Sequence, residues 1–132
     1  MPGSFLDTNV LVYLASADAK KADRAASLLV EGGTISVQVL NELANVARRR
    51  MDLSWDEVAA FLEPIRETLT VRPLTVETHE MGLALARRYR WSVYDGMIVA
   101  SAIEAGCARL WSEDLQHGMK LAEGLKIENP FQ

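Results

Sequence analysis

The chain has 132 residues, 49% of them apolar and 24% charged, with a formal charge of −4. That is the length of one ordinary domain with a continuous core, and the composition excludes disorder and collagen-like structure. The longest unbroken apolar run, Val10–Ala15, has 6 residues, against the roughly 20 that a membrane-spanning helix needs. Met1-Pro2-Gly3-Ser4 carries no basic group and Asp7 interrupts the apolar stretch behind it, so no secretory leader and no membrane partner are expected. The single cysteine, Cys107, cannot form an internal disulfide, which fits a cytoplasmic location. The acidic balance argues against broad nonspecific coating of nucleic acid. It does not exclude a nuclease, whose metal-holding carboxylates add to the same negative sum.

Residues 1–66 carry 7 basic and 9 acidic groups, and so do residues 67–132. With no repeat, linker or charged tail, one domain spanning 1–132 is expected. Ser4-Phe5-Leu6 is a candidate strand ending at Asp7-Thr8-Asn9, with a helical stretch from Val10 to about Ser16. Asp18 caps a helix that runs to Val30 and stops at Gly32-Gly33. Thr34–Val37 reads as a second strand, followed by a helix with Val39, Leu40, Leu43, Val46 and Ala47 on one stripe. Ser54-Trp55-Asp56-Glu57 is a capping box. Its helix shows Val58, Phe61, Leu62, Ile65 and Leu69 in phase, and Pro64 should kink or shorten it. Leu69–Pro73 is a third strand, with Pro73 favouring an edge position or the strand end. Thr75 starts a helix with Met81, Leu85 and Tyr89 in phase. Ser92 opens another through Ile98, Val99, Ala102 and Ile103, Ala108–Trp111 is a fourth strand, and Leu125–Glu128 a fifth. Short strands alternating with amphipathic helices predict an α/β domain with a central, mainly parallel sheet of four or five strands flanked by helices.

In open parallel sheets, ligands bind beyond the carboxyl ends of the strands. Asp7 lies at that end of the first strand and Glu42 one turn into the helix after the second. Asp95 lies at a helix start, and Asp114 a few residues past the fourth strand. Carboxylates sharing one cleft repel each other. A hard divalent cation relieves the repulsion, and oxygen-only ligands favour Mg²⁺ or Mn²⁺ over Zn²⁺. Such an ion lowers the pKa of bound water and neutralises charge on a phosphodiester. Each acid also has a structural reading: Asp7 as a turn residue, Glu42 as a solvated helix residue, Asp95 as a helix cap, and Asp114 as the cap of a last helix. Placement alone leaves both readings open.

Phe5-Leu6-Asp7-Thr8-Asn9-Val10-Leu11 resembles the opening motif of the PIN-domain family. Asn41-Glu42, Tyr94-Asp95 with Ile98 and Ala102, and Leu110-Trp111-Ser112-Glu113-Asp114-Leu115-Gln116 follow in the family's order. The resemblance covers essentially the whole chain and is strongest to the compact VapC-type toxins. It implies a three-layer PIN-like fold and an endoribonuclease dependent on Mg²⁺ or Mn²⁺. It further implies a homodimer and a cognate antitoxin as partner. On this resemblance Asp7, Glu42 and Asp95 match the three metal-holding acids, and Asp114 matches a fourth that other members place at the position of His117. Ser112 matches a small hydroxyl near the acids, and Thr8 and Asn9 would brace Asp7 or contact the site. The implied reaction is hydrolysis of an RNA phosphodiester by metal-activated water, leaving a 5′-phosphate and a 3′-hydroxyl.

Two rival functions use the same residues. An aspartate-nucleophile phosphatase would attack through Asp7, but Asn9 stands where such enzymes usually carry a second Asp. A PIN-like binding module without activity would engage a protein alone, and four intact acids count against it. Arg48-Arg49-Arg50 suits the C-terminal dipole of its helix or an RNA backbone. His117 suits a loop or first-turn role better than a general acid. Trp111 reads as core, and Trp55 as a half-buried lid or part of a partner groove. Leu29, Leu40 and Val46 are candidates for lining that groove or for ordinary core.

Overall fold

The structure is a computed structural model describing residues 3–132; Met1 and Pro2, part of the stretch weighed as a leader, lie outside the described residues. The elements run β1 (Ser4–Leu6), α1 (Thr8–Leu11) continuing into a 3₁₀ turn (Val12–Ala15), α2 (Ala19–Glu31), β2 (Thr34–Ser36) and α3 (Val37–Arg49). Then come α4 (Trp55–Thr68), β3 (Thr70–Arg72), α5 (Val76–Tyr89), α6 (Val93–Glu104), β4 (Arg109–Trp111) and β5 (Lys126–Glu128). The strands form one sheet in the order β3-β2-β1-β4-β5. Every pairing is parallel, and the helices flank the sheet. β3 is an edge strand and ends immediately before Pro73.

Side-chain caps set most helix starts. Asp18, Ser36, Ser54, Thr75 and Ser92 each accept a backbone N–H in the first turn of the helix they precede. Ser54 and Glu57 complete the expected capping box. Three local expectations are corrected. The first helix begins at Thr8, not Val10, because Asp7 itself is the N-cap and accepts the Thr8 N–H. Pro64 does not end its helix, which continues to Thr68; its exposed ring sits on the solvent side, where a lost backbone bond is replaced by water. No helix follows β4 among the described residues, so Asp114 caps nothing.

The core is built on the strands and the inward faces of the helices. Phe5, Leu6, Ile35, Leu110 and Ile127 from the sheet, with Val10, Leu43 and Ile98 from the helices, are fully or almost fully buried. Strand order reverses on either side of β1, which creates a topological switch point between β1 and β4. Their register pairs Leu6 with Trp111. Asp7 and Ser112 therefore leave the sheet side by side, and the Asp7 N–H donates to the Trp111 carbonyl at 3.0 Å.

α5 and α6 make the most extensive interhelical contact. Two glycines permit it. A Cβ on Gly82 would lie 2.6 Å from Met97 Sδ, and one on Gly96 would collide with the Gly82 carbonyl oxygen. Backbone cannot yield as a flexible side chain does, so this contact fixes the first turn of α6. Gly96→Ala should lower stability by about 1–3 kcal/mol through overpacking, measured as a fall in Tm and in the denaturant midpoint. An unchanged melting curve would show that the two helices have room to separate.

Candidate active site

Asp7 is 5% exposed, at the carboxyl end of the central strand. Oδ1 accepts the Thr8 N–H at 2.7 Å, and Oδ2 accepts the Ser112 hydroxyl at 2.9 Å and the Asn9 amide at 3.3 Å. The Asn9 side-chain oxygen accepts the Glu113 N–H at 3.0 Å. One Asn thus ties the end of β1 to the segment leaving β4. The Thr8 hydroxyl is buried without a hydrogen-bond partner.

Glu42 stands on α3 with its Oε2 2.8 Å from the Gln38 amide, which also donates to the Tyr94 carbonyl at 3.0 Å. Gln38 is 9% exposed and links the helix bearing Glu42 to the turn bearing Asp95. Asp95 is the third residue of α6, where its N–H donates to Ser92 Oγ at 3.1 Å; Ser92, not Asp95, is the cap. Asp114 is exposed beyond β4.

Asp7, Glu42, Asp95 and Asp114, from four separate segments, line one cleft of about 570 Å³ together with Thr8, Asn9 and Arg50. Among the described residues none of the four forms an ion pair. Burial, aided by the charges of Asp95 and Glu42 and opposed by the hydrogen bonds from Ser112 and Thr8, pushes the Asp7 carboxyl up to about 7. Asp95 is also raised, by burial first and then by Asp114. Among the described residues no three His, Cys, Asp or Glu side chains are arranged to hold a metal ion outright. The donor set nevertheless suits a hard cation: carboxylate oxygens without cationic partners, beside a buried hydroxyl that lacks a partner.

Ser112 is fully buried, its hydroxyl on Asp7. His117 is exposed on the following loop, where Nδ1 accepts the Asn129 N–H at 2.9 Å, and it does not line the cleft. Glu113 lines the cleft, but its carboxylate is held by Tyr13 Oη at 2.6 Å and Lys21 Nζ at 2.8 Å. Sequence reasoning missed Gln38, Tyr13 and Lys21. Gln38 had a signal, the four-residue spacing to Glu42; the Tyr13–Lys21–Glu113 cluster spans too much sequence to have had one. Trp111 is core, as expected, whereas Trp55 is 69% exposed rather than half-buried. Leu29 packs against the core.

A family model described as PIN domain matches residues 4–118. No curated protein matches the chain significantly. Among solved structures, VapC20 of Mycobacterium tuberculosis, a sarcin-ricin-loop-cleaving toxin, is 21% identical with a TM-score of 0.69, over 84% of this chain and 89% of that one. A toxin–antitoxin complex from Klebsiella pneumoniae gives 17% and 0.70, over 96% and 97%. DNA-bound VapBC from Salmonella typhimurium gives 23% and 0.69, over 98% and 99%. At these identities the likeness establishes the fold.

The raised Asp7 carboxyl has a pH signature. Folded, it keeps its proton to about pH 7; unfolded, it loses it near 3.8. Between those values the folded chain binds more protons, so stability falls as pH rises through the window. The shift corresponds to about 4 kcal/mol at most. Without divalent ions, Tm should fall from pH 4 to pH 7, and Asp7→Asn should flatten the slope. Equal slopes in both proteins would place the titration elsewhere.

Proposed function

The chain belongs to the PIN-domain family, and from that premise we propose that it is a divalent-metal-dependent endoribonuclease, the toxin of a cytoplasmic toxin–antitoxin pair. Residues 1–132 would act as one domain. The observation that carries the reading is the set of four carboxylates from separate segments in one cleft, without cationic partners, at the switch point of a parallel sheet. Structural requirements alone do not explain it, because stability favours dispersing like charges.

Asp7 and Asp95 would hold Mg²⁺ or Mn²⁺ directly, with Glu42 holding or positioning it and Asp114 as the fourth acid. Bound there, the ion supplies Lewis-acid chemistry, acidifying water and offsetting charge on the scissile phosphodiester. Asp7 is the fixed member, since Thr8, Asn9 and Ser112 hold both its oxygens. Glu42 and Asp114 are more exposed and would close the set by side-chain rotation. Gln38 keeps the Glu42 carboxylate beside the first turn of α6. Hydrolysis at this site would leave a 5′-phosphate and a 3′-hydroxyl.

Similarity to VapBC and toxin–antitoxin complexes supports an antitoxin as partner. A homodimer would use apolar side chains between Ser54 and Tyr89, among them the exposed Val76 and Leu83.

Cleavage of total cellular RNA with Mg²⁺ or Mn²⁺ tests the reading. Asp7→Asn, Glu42→Gln and Asp95→Asn should each reduce the rate on the order of 100-fold or more. Ser112→Ala and Gln38→Leu should cost about 10–100-fold, as losses of groups that orient ligands. Asp114→Asn should impair cleavage and His117→Ala should not. If the wild-type chain cuts no RNA with either ion, or the Asp7 variant cuts equally well, the ribonuclease assignment is wrong.

A further inference from the structure

The acidic cleft continues along α3. Thr8, Glu42 and Val46 on its wall also line a second depression of about 590 Å³, which adds Asn41, Asn45 and Tyr94. Asn45 in turn lines a third, of about 450 Å³, with Arg48, Arg49 and Trp55. The shared residues make these one trough, running from the carboxylates toward the C-terminal end of the helix. At about 1.5 Å per residue, Arg49 stands roughly 10 Å along the axis from Glu42.

Val46 and Leu74 line the trough beside Glu42 and Tyr94, and the remaining side chains that bear on binding are of three kinds. Asn41 and Asn45 present exposed amides one helical turn apart. Arg48, Arg49 and Arg50 are consecutive cations on a chain of net charge −4, and among the described residues none is in an ion pair. Tyr94 and Trp55 are 68% and 69% exposed. The Arg48 guanidinium lies 4.4 Å from the Trp55 ring centroid and donates to the Leu53 carbonyl at 2.7 Å, so the exposed indole is buttressed in place. Amides recognise base edges, guanidinium groups phosphates, and aromatic rings base faces. Together they are the chemistry of a single-stranded nucleic acid site. A protein helix would find apolar lining in the adjoining groove between α3 and α4, formed by Val37, Leu40, Val58 and Leu62, which shares Asn41, Ala44 and Trp55 with the trough but reaches none of the four carboxylates of the cleft.

We propose that the trough binds single-stranded RNA flanking the scissile phosphate, with Tyr94 and Trp55 stacking on bases, Asn41 and Asn45 contacting base edges, and Arg49 holding a backbone phosphate. This assignment rests on the ribonuclease reading and names where its substrate lies.

The test uses the full chain and a fluorescein-labelled single-stranded oligouridylate, with divalent ions chelated so that the probe stays intact. Trp55→Ala should weaken binding by about ten-fold. Arg49→Gln should reduce the slope of log affinity against log salt by about 0.7. Probe should quench tryptophan emission in the wild type and not in Trp55→Phe, and a duplex RNA should compete poorly. Variant melting temperatures equal to wild type would show that the fold is intact. If both variants bind as the wild type does, the track is overturned. It is equally overturned if Trp55→Ala keeps RNA affinity but no longer co-purifies with the neighbouring gene's product, which would make the surface a protein dock. Cleavage of cellular RNA with Mg²⁺ or Mn²⁺, run in parallel, separates the two levels. A chain that cuts RNA while its variants bind normally removes the track alone. A chain that binds the probe through Trp55 and Arg49 and cuts nothing removes the ribonuclease reading and reduces the track to an RNA-binding surface, and one that does neither removes both.

Discussion

A carboxyl group buried at the end of the central strand is the constraint around which the site is arranged. Three hydrogen bonds reach Asp7 from Thr8, Asn9 and Ser112, yet burial outweighs them and pushes its pKa up. Solvation lost on burial is not restored by neutral donors alone. Two further carboxylates, Asp95 and Glu42, raise the same group instead of relieving it. Arg50 lines the same cleft, but among the described residues it forms no ion pair with any of the four acids. The donors therefore serve to fix the direction of the carboxylate more than to neutralise it.

That direction depends on structure well away from the cleft. β1 and β4 deliver Asp7 and Ser112 together because Leu6 pairs with Trp111. The Gly82–Gly96 contact sets where α6 begins, one residue from Asp95. Gln38 then joins α3 to α6 through Glu42 and the Tyr94 carbonyl. Asn9 holds the Glu113 backbone, one residue before Asp114. Each acid is thus located by an element whose own position is fixed by packing or by a backbone hydrogen bond. Asp114 is the most exposed of the four, and no hydrogen bond among the described residues holds its carboxylate.

Features with local causes were legible in the sequence. Caps at Asp18, Ser54, Thr75 and Ser92 act within one turn, and the strands are short apolar runs between turn residues. The four acids were found because strand ends can be placed from pattern. Features that depend on distant partners were not legible. The structural reading of Asp7 was a turn residue and not a cap, because its capping role shows only when the helix starts at Thr8. Pro64 was expected to kink or shorten its helix because sequence does not say which side faces water. The bond from Gln38 to Tyr94 spans 56 residues, and the one from Tyr13 to Glu113 spans 100. Only the fold creates such pairs.

α3 shows why the arginines read first as complements to the helix dipole and only second as an RNA contact. A helix favours acids toward its N-terminal end and bases toward its C-terminal end, and Glu42 precedes Arg48, Arg49 and Arg50 in that order. The arrangement that the proposed function would ask of Glu42 and the arginines, an acid for a metal and cations for phosphate, is thus also the one the helix dipole prefers. Local stability and substrate binding pull the same way, so composition cannot separate them. Position can: Arg50 lines the acidic cleft, while Arg48 and Arg49 line the depression beside Trp55. A dipole complement needs the charge near the last turn and is indifferent to which side of the helix it occupies. A substrate contact of the kind proposed needs it near the cleft: Arg50 lines the cleft itself, and Asn45 lines both of the depressions that continue from it toward Arg49.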